Sequence, residues 1–234
     1  MYSVVQNILN HGLHRKHGKE SEEFEDYRVG FKLRLILNSV TAEMTRVSID
    51  NLVRGLREIP DERFVCEPVY DYLSENPVDV DSIQKYLFWS PKFYTRNLIF
   101  KDDRFEMMAI CWDRGQVSRV HNHCEQRCWM TVPIGRLKGQ NFAVEAMDKS
   151  TGFCKLRETD SFELADCLTA KVELEEPIHQ ILNLPEFDDR AVSLHIYSKP
   201  FDHCISYCRD TDTFKDVQLF YSSVDGQLCD GVTL

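Results

Sequence analysis

Residues 120–130 read VHNHCEQRCWM, a stretch that sets two histidines, two cysteines and a glutamate close together. On an extended strand His121 and His123 fall on one face, because side chains alternate with a period of two. Such a pair is either two ligands of one metal ion or a chance product of alternation, and its surroundings decide. Gly115 precedes it, and Cys128 and Gly135 follow, in the spacing G-x5-H-x-H-x4-C-x6-G. Further on, HQILN places His179 and Asn183 in the spacing H-x3-N.

The surroundings are strands. FYTRNLIF, FEMMAICW, CWMTVPIG, NFAVEAM, IHQILNL, AVSLHIYS and VQLFYSS are rich in β-branched and aromatic residues. The polar turns KDDR, DRG, DKSTG, PEFDD and DTD separate them. Short strands at this density indicate a β-sandwich or small barrel, expected over about residues 92–226. Helical spacing precedes it, over about residues 46–90. In SIDNLVRGLREI the apolar residues Ile49, Leu52, Val53, Leu56 and Ile59 form one face behind a capping Ser48. EPVYDYLSENP starts near Pro68 and stops at Asn76-Pro77, and DSIQKYLFW adds a short turn or two capped by Asp81. Residues 1–45 read as an extension, and residues 46–234 as one domain. The extension's His11, His14 and His17, next to an acidic run, read as a solvated linker before a metal-binding tail.

Composition narrows the function. With 43% hydrophobic and 28% charged residues, the 234-residue chain has the balance of a folded globule. Its formal net charge of −10 argues against a phosphate-tracking surface, so nucleic acid is not expected as a partner. No apolar run reaches the roughly 18 residues of a spanning helix, and no secretory or mitochondrial leader pattern is present, so neither membrane insertion nor secretion is expected. Nine cysteines without a C-x-x-C pair read as reduced thiols of a cytoplasmic protein. Cys66, Cys111, Cys154, Cys167, Cys208 and Cys229 read as small buried hydrophobes. A monomer is expected.

The first spacing resembles the first motif of the cupin superfamily, with Cys128 where a glutamate is usual. His179 and Asn183 are similar to the end of the second motif, although EEPIHQ keeps little of what normally precedes it. The resemblance implies a mainly β fold, a double-stranded β-helix jelly-roll barrel with a helical N-terminal layer, and three histidines converging in its mouth. With FYTRNLI, CWDRG, HNHCEQRC and RAVSLHIYSKPFDHC, the chain further resembles the cysteine dioxygenase family of thiol dioxygenases over about residues 47–226. Asn122 stands where that family has an acidic residue, and GQVSRV where it has a Gly/Ser-rich turn.

What the resemblance implies is specific. His121, His123 and His179 would bind Fe(2+), and L-cysteine and O2 would react to give cysteine sulfinic acid. Three neutral imidazoles suit iron and leave positions open for substrate and oxygen. They also leave the ferrous charge uncompensated, which acidifies a bound thiol. A structural zinc site with Cys124 or Cys128 is the competing reading of the two histidines. Against it, Cys124 directly follows His123 and would face the other way. Ser193, His195 and Tyr197 alternate along one strand face, either as a satisfied polar stripe or, as in that family, as a relay to substrate and oxygen. In animal-type members the cysteine and tyrosine matching Cys128 and Tyr197 are joined by a thioether, so a self-generated Cys128–Tyr197 cross-link is expected here. Cys204 matches a cysteine near the pocket in some members and reads equally as a buried thiol or a redox group.

Arg96 is the expected substrate anchor, with Tyr94 beside it. A strand arginine is commonly a surface residue, but Tyr94, Leu98 and Phe100 would share its face and half-bury it. A buried guanidinium needs an anion, which a substrate carboxylate would supply. Two other functions compete: oxidation of a different small thiol such as 3-mercaptopropionate or cysteamine, and a non-catalytic cupin binding module.

Overall fold

The structure is a computed structural model that describes residues 45–172, 178–187 and 189–230. The extension expected up to residue 45 therefore lies, but for Thr45, outside the described residues, as do its three histidines. Among the described residues no helix is long and apolar enough to cross a membrane.

The helical layer forms for the reasons its sequence gives. Helix α1 (Ile49–Glu58) is capped by Ser48, whose side chain accepts the Asn51 N–H, and buries Ile49, Leu52 and Leu56. Helix α2 (Cys66–Glu75) carries Pro68 in its first turn and ends at Asn76. The third helical stretch is a 3-10 helix, Val80–Tyr86, and its cap is Asp79 where Asp81 was expected. The reason is local: the Asp79 carboxylate accepts the Asp81 N–H at 3.2 Å, which places the helix start two residues earlier.

Among the described residues thirteen strands follow: β1 (Thr95–Lys101), β2 (Phe105–Trp112), β3 (Val120–His121), β4 (Cys128–Ile134), β5 (Arg136–Asp148), β6 (Phe153–Ala165), β7 (Thr169–Val172), β8 (Ile178–Leu182), β9 (Ala191–Ser198), β10 (His203–Cys208), β11 (Thr213–Gln218), β12 (Ser223–Val224) and β13 (Gln227–Leu228). They form a seven-stranded sheet in the order β13-β12-β1-β2-β9-β4-β7 and a closed set in the order β10-β11-β6-β5-β8-β3. This mainly β, two-sheet arrangement is the jelly roll that the resemblance implied.

Alternation on the central strands builds two cores. Met107, Ala109 and Cys111 of β2, with Val192, Leu194 and Ile196 of β9, pack against Leu52, Leu56, Leu73 and Ile83 of the helical layer. Met108, Ile110 and Trp112 face the other way, toward Met130, Leu137 and Ile181 inside the barrel. The β1–β2 turn binds the helical layer to the sheet. Arg104 donates to the carbonyls of Leu56, Arg57 and Ile59, so its cation satisfies the open C-terminal end of α1.

Four further expectations need correction. Of the six cysteines expected in the core, Cys111, Cys154 and Cys167 are buried, whereas Cys66 and Cys229 are half-buried and Cys208 is exposed at the end of β10. VQLFYSS is not one strand. The chain leaves the closed set after Gln218, exposes Phe220, and joins the seven-stranded sheet at Ser223, because this segment wraps the pocket mouth. Phe100 does not share the face of Arg96: the register shifts between Leu98 and Phe100, which turns Phe100 toward the helical core. Finally, strand β3 ends at His121, so His123 lies in the turn that follows. That turn is fastened by Asn122, whose side chain accepts the Ile205 N–H at 3.0 Å, and it continues through Cys124 and Glu125 at positive φ.

Gly135, the last residue of the first motif spacing, is required by the β4–β5 turn. It sits at φ +72, and a Cβ there would lie 2.4 Å from the Arg190 carbonyl oxygen and 2.9 Å from the Ala191 Cα. Gly135→Ala is expected to destabilise the fold by roughly 2–4 kcal/mol, from left-handed strain together with a backbone clash. Urea denaturation measures this, and an unchanged midpoint would contradict the close approach.

Candidate metal centre and substrate pocket

Three segments distant in sequence bring the histidines together. His121 on β3 pairs directly with His179 on β8, and the turn after β3 swings His123 toward both. One ligand atom from each lies within 4.8 Å of the others, and neither Cys124 nor Cys128 joins the group. The mixed His/Cys zinc site thus finds no support in the geometry. His123 Nε2 and His179 Nε2 are 3.1 Å apart, while the Nδ1 atoms of both rings have no hydrogen-bond partner among the described residues. His121 Nδ1 lies 2.8 Å from the Arg119 carbonyl oxygen, so Nδ1 carries the proton and Nε2 keeps a free lone pair.

Burial decides the charge state of these rings. Removal from water lowers the His121 pKa to about 4 and holds His123 and His179 well below the ordinary histidine value, with the neighbouring rings adding to the effect in the latter two. All three are neutral at physiological pH, the form that binds a metal ion. Neutral, convergent and partly oriented by a backbone carbonyl, they fit a divalent transition metal with an open face.

The opposite wall belongs to the seven-stranded sheet. Ser193, His195 and Tyr197 alternate inward on β9, and Cys128 on β4 is the register partner of Tyr197. Trp112 Nε1–H donates to Ser193 Oγ at 2.9 Å. Ser193 Oγ lies 2.9 Å from His195 Nε2, and His195 Nδ1 lies 3.0 Å from the Tyr197 hydroxyl. An indole N–H can only donate, so Ser193 Oγ accepts from Trp112. In the tautomer that carries the His195 proton on Nδ1, Ser193 donates to His195 Nε2, His195 donates to the Tyr197 oxygen, and the Tyr197 hydroxyl proton is free to point into the pocket. Burial keeps this row uncharged: the His195 pKa is lowered to about 3, and those of Tyr197 and the Cys128 thiol are raised. Cys128 Sγ sits 3.9 Å from His195 Nδ1.

A small pocket of about 70 Å³ separates the walls, lined by His121, His195, Tyr197 and Arg96 among others. Arg96 and Tyr94 also line a wider groove of about 970 Å³ outside it. Arg96 Nη1 is buried and has no hydrogen-bond partner among the described residues. Tyr94 stacks on Trp112 with ring centroids 4.6 Å apart. Cys204 lines the pocket as well, its pKa pushed up to about 11 by burial. Sequence reasoning missed Trp112 and Phe201, whose ring lies 4.9 Å from that of Tyr197. The alternation of Trp112 with Met108 and Ile110 would have placed it on the site face. Nothing local marks Phe201.

Convergent imidazoles that could hold a metal ion on one wall of a jelly roll, and a polar row on the other, fit a cupin-fold thiol dioxygenase. A family model described as cysteine dioxygenase type I matches residues 39–210, and the chain belongs to that family. Cysteine dioxygenase type 1 of Danio rerio is 25% identical over 194 residues, covering 80% of this chain and 92% of that protein. The Homo sapiens protein of the same name is 31% identical over 140 residues, covering 57% of this chain and 64% of its own length. A double-stranded β-helix protein of Klebsiella pneumoniae overlaps with a TM-score of 0.37 at 11% identity, covering 59% of this chain and 88% of that one. A Thermus thermophilus protein gives a TM-score of 0.37 at 16% identity, covering 50% and 93%. At these scores the overlaps add nothing to the strand order, on which the fold assignment rests.

The buried histidines make stability depend on pH. Their folded pKa values lie below the unfolded value near 6.5, so the unfolded chain takes up more protons as the pH falls. Stability is complete above about pH 6.5 and is lost toward pH 4, by up to about 1.4 kcal/mol per pH unit for each ring. Urea midpoints of metal-free protein should therefore fall between pH 7.5 and pH 5. An unmoved midpoint would contradict neutral burial.

Proposed function

We propose that the protein is a ferrous-iron dioxygenase that adds both atoms of dioxygen to the thiol of L-cysteine, giving cysteine sulfinic acid. One observation carries this reading: His121, one of three convergent neutral imidazoles, and the Arg96 guanidinium, whose buried N–H has no partner among the described residues, line one small pocket. Membership of the cysteine dioxygenase type I family supports it. His121, His123 and His179 would hold iron, which when bound would supply open positions for a thiolate and dioxygen and a route for the four electrons that pass from the thiolate sulfur to dioxygen.

The chain's own residues do the rest. Arg96 takes the substrate carboxylate through parallel N–H···O bonds, which satisfies its buried donor and fixes the thiol toward the histidines. Tyr94 borders the same position and is held by its stack on Trp112. Tyr197 offers its hydroxyl proton to the reacting atoms, with its oxygen kept in place by the Trp112–Ser193–His195 chain. Ile110, Ile181 and Phe201 line the pocket with apolar surface and exclude water. All nine cysteines are free thiols, which supports a cytoplasmic protein.

Cys128 and Tyr197 are further read as a cross-linking pair. A bond forms between Cys128 Sγ and the ring carbon beside the Tyr197 hydroxyl, and two protons and two electrons leave, with dioxygen as acceptor. Their direct register across β4 and β9 supports this. Peptide mass spectra of iron-loaded, air-exposed protein should show loss of two hydrogens shared by these peptides. Tyr197→Phe should abolish that change and reduce turnover while iron is retained. Full mass after repeated turnover with cysteine would overturn the cross-link.

Substrate choice tests the remainder. Protein loaded anaerobically with ferrous iron should consume oxygen on addition of L-cysteine and release a sulfinate. His121→Ala, His123→Ala and His179→Ala should each lose iron and activity together. Cysteamine, which lacks a carboxylate, should be a very poor substrate, and L-cysteine should be preferred to 3-mercaptopropionate. Charged hydrogen bonds contribute roughly 1.5–3 kcal/mol, so Arg96→Ala should lower kcat/KM for cysteine about tenfold to a few hundredfold at unchanged iron content. Equal oxidation of cysteamine and cysteine would remove Arg96 as the anchor. No oxygen uptake with any small thiol would leave a non-catalytic binding module.

A further inference from the structure

Glu106 is a carboxylate in a place where carboxylates rarely sit. It is 0% exposed, second in a fully buried strand, and is the direct register partner of Tyr197. Its Oε2 accepts the Tyr221 hydroxyl, and its Oε1 has no hydrogen-bond partner among the described residues. A buried carboxylate is costly unless a cation balances it. Tyr221 is where that balance is made. Its hydroxyl is 3.2 Å from Lys101 Nζ, and its ring lies 5.8 Å from the guanidinium carbon of Arg96.

The same segment grips the Arg96 main chain. Ser222 N–H donates to the Arg96 carbonyl at 2.7 Å, and Arg96 N–H donates to Ser222 Oγ at 3.2 Å. A phenol that donates to a carboxylate becomes electron-richer, and its face then attracts a guanidinium more strongly. We propose that Glu106 is a positioning residue: through Tyr221 it fixes the Arg96 guanidinium at the pocket, and so sets how strongly the site prefers thiols that carry a carboxylate. This rests on the reading of Arg96 as the carboxylate anchor.

The test compares iron-loaded Glu106→Gln, Tyr221→Phe and the double variant with the parent enzyme, by kcat/KM for L-cysteine and for cysteamine. The cysteine-to-cysteamine ratio should fall about three- to thirtyfold in each single variant, carried by KM for cysteine more than by kcat. The double variant should fall no further than the more affected single variant, because both changes break one path. A Glu106 that only fills the core would lower the melting temperature and both substrates together. An unchanged ratio in the variants would therefore overturn the proposal. Should Glu106→Gln fail to fold, Tyr221→Phe decides alone, since it removes the hydrogen bond and keeps the carboxylate. A parent enzyme without any preference for cysteine would instead overturn the anchor reading of Arg96.

Discussion

Strands β2 and β9 pair antiparallel over eight consecutive residues, from Phe105 with Ser198 to Trp112 with Ala191, and their side-chain alternation places nearly everything else. One face of the pair is apolar and closes against the helices. The other carries Glu106, Trp112, Ser193, His195 and Tyr197 into the interior. A slip of one residue would exchange those faces, burying the polar row against leucines and leaving the site apolar. The register is thus held by the hydrophobic core on one side and by the hydrogen bonds of the row on the other.

That polar row is tolerable because it is directional. Trp112 can only donate to Ser193, and one tautomer of His195, with its proton on Nδ1, lets every bond of the row run toward Tyr197 without any net charge. Neutrality also suits the facing histidines, whose low pKa values come from the same exclusion of water. Burial therefore prepares both walls: it keeps the imidazoles free to bind a metal ion and the phenol protonated.

The site was more legible in the sequence than the full strand set. His121, His123, His179, Cys128, Ser193, His195 and Tyr197 all lie where alternation and motif spacing put them together, although His123 reaches its place through a turn. Alternation predicts a face only while a strand lasts, and the Asn122 side chain ends β3 by tying the turn to Ile205. Strands β6, β7, β10 and β13 went unread, because they are short or their sequences do not alternate cleanly. FCKLRETDSFELA is largely exposed, and it is held by pairing along β5 more than by burial. The bulge that turns Phe100 away from Arg96 is likewise a property of strand pairing, which no local pattern reveals. Glu106 gave no signal either, since its partner Tyr221 lies 115 residues away.

The two walls of the pocket come from different sheets. His121 and His179 stand on strands of the closed set, with His123 in the turn beside them, whereas Arg96, Cys128, Ser193, His195 and Tyr197 stand on the seven-stranded sheet. On the reading proposed above, metal binding falls to one sheet, while the carboxylate anchor and the proton-handling row share the other. The distance between metal and substrate anchor is then set by how the two sheets pack, so a substitution in the apolar layer between them would act on substrate positioning without touching either wall.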